Sequence, residues 1–335
     1  MTPPLRIGFL GGIPPAIGGG GLERQMRDTA QALRARGHEV VFLERAERRP
    51  PLDVVHGFGA EPNLRHLLLH AQALRPLVVS PVIVLSRGRE EQVMRVAARL
   101  PLLTAGRMRL QILQRADAIV ALTAYERDVV VRLVGRDATA DVAVVPNGSG
   151  SLDAPVVAPP PELPAQPFAL LLGTVSARKA QLEIVRVLAP RLPVVVAGGF
   201  HGSDAERAEW EGTVAGSGTT WLGHVDDPAV VAALQRAAAV LVHHSTAETQ
   251  SLAVVETLSL GTPVVLSDLP SHRELAAAHP AHVRVVAERA QLADAATSFA
   301  AHPPSGPAPA IPRWDGVAQQ LEAVYARVAG RSARS

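Results

Sequence analysis

The chain has 335 residues, of which 47% are hydrophobic and 19% are charged, and its formal net charge is +2. This length predicts two domains, and the composition allows each of them a substantial apolar core. The small net charge and the 3% content of aromatic residues argue against a protein that binds nucleic acid. Because the sequence contains no cysteine, disulfides and thiolate metal sites are excluded.

The first residues lead directly into an apolar strand, without the hydrophobic segment of a signal peptide. No apolar run approaches the roughly 18 residues that a membrane span requires. We therefore expect a cytoplasmic protein. Arginines recur at helical spacing across residues 87–115, which fits either a solvated helix face or a basic face. A basic face would contact acidic lipid at the inner face of the membrane or an anionic acceptor.

The first half of the chain opens with a strand, a glycine-rich turn, a helix and a second strand. We predict the three regular elements at 5–10, 22–36 and 38–43. The turn contains Gly19, Gly20 and Gly21, and residues without side chains allow backbone N–H groups to approach a phosphate. The spacing does not match G-x-G-x-x-G, so we do not predict a dinucleotide site.

A third predicted strand, at 53–57, carries His56 near its end. A histidine at the carboxyl edge of a doubly wound sheet points towards the crevice where ligands bind, so His56 is a candidate binding residue. A structural or solvent-exposed histidine is the alternative. Further strands of the first half are predicted at 77–82, 116–123 and 142–148.

A proline-rich run at 151–167 is predicted to be a linker between two domains. Beyond it, strands are predicted at 168–173, 194–199, 219–225, 237–242 and 262–267, and helices from 181 and at 228–236, 252–260 and 316–328. We therefore predict an α/β protein with Rossmann-like domains at 1–150 and 168–312, followed by a terminal helix and tail at 313–335.

Two acidic residues follow the strand at 237–242: Glu248 in a loop and Glu256 in the next predicted helix. That helix should begin near Gln250, Ser251 and Leu252, where free N–H groups and the helix dipole suit an anion such as a diphosphate. Carboxylates beside this anion site can accept hydrogen bonds from sugar hydroxyls. An unpaired acid inside an apolar run would be costly, which indicates a specific role for Glu256. The arrangement predicts a nucleotide-sugar pocket.

The pair Glu248 and Glu256, with seven residues between them, and the sequence GTPVV at 261–265 resemble the E-x7-E and GTPVV motifs of family 4 glycosyltransferases (GT4). Further similarities are GGLER at 20–24, DVVH at 53–56 and VVPNG at 144–148. The resemblance covers about residues 5 to 328. It implies the GT-B fold, in which two Rossmann-like domains face each other across a cleft and a C-terminal helix crosses back to the first domain.

The resemblance also implies a reaction. Members of this family move a sugar from a nucleoside-diphosphate sugar to an acceptor hydroxyl, with retention of configuration and without a metal or another cofactor. The donor would bind the C-terminal domain. The acceptor, whether a glycan, a lipid or a small molecule, would bind the N-terminal domain.

The family pattern assigns the donor-binding side chains. Glu248 and Lys179 would be the catalytic residues, with Glu248 on the donor-sugar hydroxyls and Lys179 on the diphosphate. Glu256 would bind the ribose. Thr174 stands where relatives carry a diphosphate-binding arginine, and Arg178 would substitute for it.

The family pattern also assigns backbone contacts and an acceptor side. The diphosphate would meet N–H groups from two segments, Gly19–Gly21 and Gln250–Leu252. His56 would lie on the acceptor side. Ser80 and Pro81 stand where many relatives carry a histidine near the acceptor, so this sequence departs from the family there.

Three alternatives share parts of this pattern. A nucleotide-sugar 2-epimerase has the same fold, but it would need further acids and histidines than the sequence offers. A non-catalytic relative that binds a nucleotide sugar or a protein partner fits the departures at Thr174 and Ser80. A periplasmic binding protein has two similar lobes, but it would need an export signal.

Overall fold

The computed structural model describes residues 3–12, 20–43, 51–72, 75–84, 92–93, 96–97, 104–135 and 141–332. The chain forms two compact units. The first consists of Met1–Gly148 and Pro312–Ser335, and the second of Ser149–Ile311. The proline-rich segment thus belongs to the second unit, and the terminal helix belongs to the first.

The first unit is built on a parallel sheet of six strands. The strands are β1 Arg6–Gly11, β2 Glu39–Phe42, β3 Val54–Phe58, β4 Leu77–Ser80, β5 Ala118–Ala121 and β6 Asp141–Val144. Their order across the sheet is β2-β1-β3-β4-β5-β6. The helices between them are α1 Gly21–Ala35, α2 Arg65–Gln72, α3 Ala105–Arg115 and α4 Ala124–Val134. All residues of β3, β4 and β5 are buried and, apart from His56 and Ser80, they lack polar side chains, as expected for a parallel sheet that is covered on both faces.

The second unit repeats this plan. Its strands are β7 Ala169–Leu172, β8 Val194–Ala197, β9 Thr220–Trp221, β10 Val240–His243, β11 Val264–Ser267 and β12 Val283–Val286. They are parallel, in the order β12-β11-β10-β7-β8-β9. The helices are α5 Gln181–Leu188, α6 Asp204–Ser217, α7 Pro228–Ala237, α8 Leu252–Ser259, α9 Pro270–Ala278 and α10 Leu292–Ala301. The predicted α/β fold with two Rossmann-like domains is confirmed.

The last helix, α11 Trp314–Ser332, packs into the core of the first unit. Its apolar side contributes buried residues to the cluster that contains Ile7 and Phe9 of β1: Val317, Ala318, Leu321, Val324, Tyr325 and Val328. Glu322 of this helix accepts hydrogen bonds from Arg36 at 2.6 and 3.0 Å. An apolar seam and a charged contact together fix the helix to the first unit.

Most of the predicted strands are shorter in the structure, and two of them end early because the chain turns. The strand expected at 219–225 is only Thr220–Trp221, and Gly223 turns the chain with φ +66°. The strand expected at 77–82 ends at Ser80, because Pro81 has no N–H to give to a sheet and Val82 has φ +47°. A β-branched residue in that left-handed region is strained, so the turn after β4 requires support.

The support for this turn comes from Glu126 in the first turn of α4. Its carboxylate is buried and accepts backbone hydrogen bonds from Ile83 and Leu122, both at 2.7 Å. Burial raises the pKa of Glu126 to about 7, although the two backbone hydrogen bonds lower it. The side chain therefore ties the exit of β4 to the exit of β5.

The remaining expectations of the sequence concern segments between elements. Residues 150–167 contain no helix or strand, and Ser149 Oγ lies 2.7 Å from Ser259 Oγ within the second unit. In the arginine-rich region, Arg109 pairs with Glu61 at 3.0 Å, whereas Arg89, Arg95 and Arg99 lie outside the described residues. No helix in the described ranges has both the length and the hydrophobicity needed to cross a membrane.

Candidate active site

Two loops meet at the carboxyl edge of the second sheet. One follows β7 and the other follows β10, and these two strands are neighbours in the sheet. Thr246 joins the loops, because its backbone N–H and its hydroxyl both donate to the carbonyl of Arg178, at 2.9 and 3.2 Å. The exits of adjacent parallel strands form the usual ligand crevice of such sheets.

The loop after β7 is held from within by Gln181, the first residue of α5. Its buried amide donates to the carbonyls of Gly173 and Thr174, at 3.2 and 2.9 Å, and accepts from the N–H of Ser176 at 3.1 Å. Gly173 has φ +113°, and a Cβ there would collide with the amine of Lys179. These hydrogen bonds fix the conformation of the loop, and the Lys179 amine packs against Gly173 at the end of β7.

Lys179 is the only lysine of the sequence. Its side chain is partly buried, and this burial lowers the pKa of the amine, while the nearby charge of Glu248 raises it. Within the described part of the chain, no carboxylate lies within 4.0 Å of the amine. The site thus contains a desolvated cation that lacks a direct counterion.

Glu248 lies in the loop after β10, where its side chain is only 13% exposed. One of its oxygens, Oε2, accepts hydrogen bonds from Arg178 Nη1 at 3.1 Å and from His243 Nε2 at 3.2 Å. Burial raises the pKa of this carboxyl, but the hydrogen bond from His243 and the charges around it outweigh burial and bring the pKa to about 2. Glu248 is therefore ionised at neutral pH and is unsuited to act as an acid.

The helix α8 begins directly after this loop. Ser251 is its N-cap and makes no side-chain hydrogen bond to the first turn. The predicted start of the helix near Gln250, Ser251 and Leu252 is confirmed, and the binding of an anion by N–H groups there remains a prediction. Glu256 is fully buried, a little more than one turn along α8 rather than two, and its assignment to a ribose remains a prediction.

Comparison with known proteins identifies this unit. Residues 168–302 match the model of the family described as glycosyl transferases group 1. The second unit is therefore similar to the group 1 glycosyltransferase domains over these residues. No curated protein matches the sequence.

Solved glycosyltransferases share the fold of the whole chain. A sucrose-phosphate synthase from Thermosynechococcus elongatus has a TM-score of 0.75 and 18% identity, over 98% of this chain and 100% of that chain. Anabaena HepE in complex with UDP-glucose has a TM-score of 0.64 and 18% identity, over 97% and 95%. AviGT4, a glycosyltransferase of avilamycin A biosynthesis, has a TM-score of 0.63 and 16% identity, over 98% of both chains. The predicted GT-B fold is confirmed, and the match to the glycosyltransferase family model covers residues 168–302 of the second unit.

The candidate residues of the first unit have different outcomes. Gly20 is the N-cap of α1 and Gly21 is its first residue, while Gly19 lies outside the described residues. Their contact with a diphosphate remains a prediction. The prediction that His56 faces an acceptor is wrong, because β3 continues for two residues beyond it and buries the ring completely.

The ring of His56 has a structural role. Its Nδ1 is hydrogen-bonded to the Tyr325 hydroxyl at 2.7 Å and its Nε2 to Ser80 Oγ at 2.9 Å, and the ring stacks on Phe58 at 4.2 Å. Burial lowers the pKa of His56 to about 3, so the ring is neutral. Ser80 stands where relatives carry a histidine. Its hydroxyl supplies the hydrogen-bond partner that the buried Nε2 of His56 requires.

The sequence does not assign a role to two histidines of the second unit. His243, at the end of β10, contacts Glu248, and His272 of α9 lies edge-on to it with ring centroids 6.1 Å apart. A histidine at a strand end five residues before the acid is the only sequence signal for this contact. Across the described residues, no group of three His, Cys, Asp or Glu side chains is arranged to hold a metal ion.

Proposed function

We propose that the protein transfers a sugar from a nucleoside-diphosphate sugar to an acceptor hydroxyl, with the donor bound at the carboxyl edge of the second sheet. The observation that carries this proposal is Lys179, a partly buried amine that has no direct counterion among the described residues. Its loop is hydrogen-bonded to the loop that leads into the uncapped helix α8. A diphosphate would supply the missing negative charge to both groups. Solved structures of HepE contain UDP or UDP-glucose, which supports a UDP-sugar as the first donor to test.

The proposed chemistry follows from where the charges lie. Departure of the nucleoside diphosphate leaves negative charge on its phosphates, and Lys179, Arg178 and the first N–H groups of α8 would stabilise it. Glu248, which is ionised, would accept hydrogen bonds from hydroxyls of the donor sugar. The acceptor would bind the first unit.

The finer features of the reaction are also proposals. Retention of configuration follows from the resemblance to GT4. Independence from metal ions is supported by the two cationic side chains, which would take the place of a divalent ion on the diphosphate. Product stereochemistry by NMR, and UDP release with and without EDTA, test these two features.

Because the sequence contains one lysine, labelling of amines tests the site directly. Reductive methylation followed by mass spectrometry should modify Lys179 and the N-terminal amine, and saturating UDP should protect Lys179 alone. The N-terminal amine serves as the control within the same sample. Equal labelling of Lys179 with and without UDP, GDP or ADP would remove the donor site from this position.

A further inference from the structure

The carboxylate of Glu248 is held by one of its two oxygens. Oε2 accepts from both Arg178 and His243, whereas Oε1 has no hydrogen-bond partner within the described part of the chain. A carboxylate anchored in this way presents its second oxygen in a fixed direction. The side chain is 13% exposed, so that oxygen lies at the edge of the site and not in bulk water.

The two groups that hold Oε2 differ in rigidity. The Arg178 side chain is 46% exposed and also donates to the carbonyl of Ala247 at 3.0 Å. His243 is the last residue of β10 and is 5% exposed. Exposed ion pairs contribute little and are easily exchanged, so Arg178 is free to turn to a phosphate while His243 stays in place.

The orientation of the His243 ring is fixed by its surroundings. His272 packs edge-on against it, with ring centroids 6.1 Å apart. His272 is itself held through Nδ1, which lies 2.9 Å from the carbonyl oxygen of Ser267 and 3.2 Å from its hydroxyl. A chain of contacts therefore runs from the end of β11 through two rings to the carboxylate.

The protonation of the ring follows from these contacts. Burial lowers the pKa of His243, although the hydrogen bond to Glu248 raises it, so the ring is neutral at neutral pH. An ionised carboxylate can only accept, and the neutral ring must therefore carry its proton on Nε2. The bond is a charge-assisted hydrogen bond with His243 as donor.

We propose that His243 is a positioning residue, which fixes Oε2 of Glu248 through its Nε2–H and thereby directs Oε1 to a hydroxyl of the donor sugar. This inference rests on the proposed donor site. It assigns the recognition of the sugar, as distinct from the diphosphate, to an oriented carboxylate. His243 itself touches neither part of the donor.

Two isosteric substitutions separate positioning from general structure. The amide nitrogen of glutamine reaches the place of Nε2, so His243→Gln keeps the donor to Glu248. The amide nitrogen of asparagine reaches only the place of Nδ1, so His243→Asn loses it. His282→Asn is the matched control. His282 is also buried, but it lies at the amino end of β12, whereas His243 lies at the carboxyl end of β10.

The experiment measures the affinities of UDP and UDP-glucose for each variant by calorimetry. For H243N we expect affinity for UDP-glucose to fall about tenfold, the effect of losing one charge-assisted hydrogen bond, with the affinity for UDP unchanged. H243Q should recover most of the loss for UDP-glucose. H282N should bind both ligands as the wild type does.

Glu248→Gln distinguishes failure of this inference from failure of the proposed function. If E248Q loses affinity for UDP-glucose but H243N does not, the result supports the proposed donor site and contradicts the positioning role of His243. Equal losses for UDP and UDP-glucose in H243N would indicate a merely structural residue and would also overturn the inference. A wild-type protein that binds neither ligand would overturn the proposed UDP-sugar donor, and the inference with it.

Discussion

The two units each place a buried histidine on a central strand, but the two histidines have different surroundings. His56 on β3 has both ring nitrogens hydrogen-bonded to neutral hydroxyl groups within the first unit. His243 on β10 donates to an ionised carboxylate at the edge of the proposed site. The difference lies in where the strand ends, since β3 continues beyond its histidine and β10 stops at it.

This comparison separates stability from function. A change near His56 should lower the free energy of unfolding without altering donor binding. A change near His243 or its partners should alter donor binding with little effect on folding.

The largest effect on turnover is expected from substitutions of Lys179 and Glu248 in the second unit. We expect Lys179→Met to reduce turnover of the nucleotide-sugar donor by at least about 100-fold, because a group that stabilises developing charge contributes this much. Glu248→Gln should also reduce turnover, because it weakens the hydrogen bonds to the hydroxyls of the donor sugar. The melting temperature should not fall, since Lys179→Met removes a desolvated charge. UDP release and calorimetric melting measure the two quantities, and full turnover by both variants would contradict the site assignment.

In the first unit, Tyr325→Phe should act in the opposite way. It leaves Nδ1 of the buried His56 without a partner, which should cost about 1–3 kcal/mol in the free energy of unfolding. Donor affinity should remain that of the wild type. Urea denaturation measures the cost, and Ser80→Ala, which removes the partner of the other ring nitrogen, is the matched variant. A large loss of donor binding by folded Y325F would break the separation drawn above.

The pH dependence of stability should reveal Glu126 and His56 with opposite signs. The pKa of folded Glu126 is raised to about 7 from 4.5, so its contribution is present below pH 4.5 and is lost as the pH rises to 7. The pKa of folded His56 is lowered to about 3 from 6.5, so its contribution is present above pH 6.5 and is lost as the pH falls. Each slope is at most about 1.4 kcal/mol per pH unit.

Glu126→Gln isolates the first of these slopes. Relative to the wild type, the variant should gain stability as the pH rises from 4.5 to 7, as measured by urea denaturation at several pH values. The same measurement on Glu39→Gln, whose exposed side chain pairs with Arg6, provides the control. An unchanged difference between E126Q and wild type across this range would contradict the assignment.

The smallest effect is expected on the surface of the second unit. Arg186 pairs with Glu209 at 2.8 Å, but both side chains are about half exposed. Arg186→Ala should therefore change the free energy of unfolding by less than about 1 kcal/mol and leave donor affinity unchanged. Denaturation and UDP binding check both expectations, and a loss above 2 kcal/mol would show that charges outside the site matter more than proposed.

Much of the fold was predictable because its strands are buried on both faces. Runs such as 194–197 and 264–266 are apolar throughout and are followed by a glycine or a serine, and they lie within the predicted strands. The start of α8 was predictable for a similar reason, since a polar loop changes there to an apolar helix. The strand at 219–225 failed because a glycine turn within an apolar run has no distinct local pattern.

The site was predictable only in part. Glu248 and Lys179 stand at recognisable distances from glycine and helix motifs, and they lie on loops that the structure joins. His56 was misassigned because the pattern of one strand does not tell which residue is last within the sheet. The partners of His56 and Glu126 come from elements far along the chain, and such contacts depend on tertiary packing that a local motif does not record.

The position of α11 has a consequence for how this protein is made. The core around Ile7 and Phe9 is completed by Tyr325 and Val328, which the ribosome adds more than 300 residues later. During translation, the part of the first-unit core that α11 covers therefore stays exposed until the whole second unit has been synthesised. The second unit can fold in that interval. We expect the second unit to be the earlier of the two to resist protease during translation, although it is encoded later.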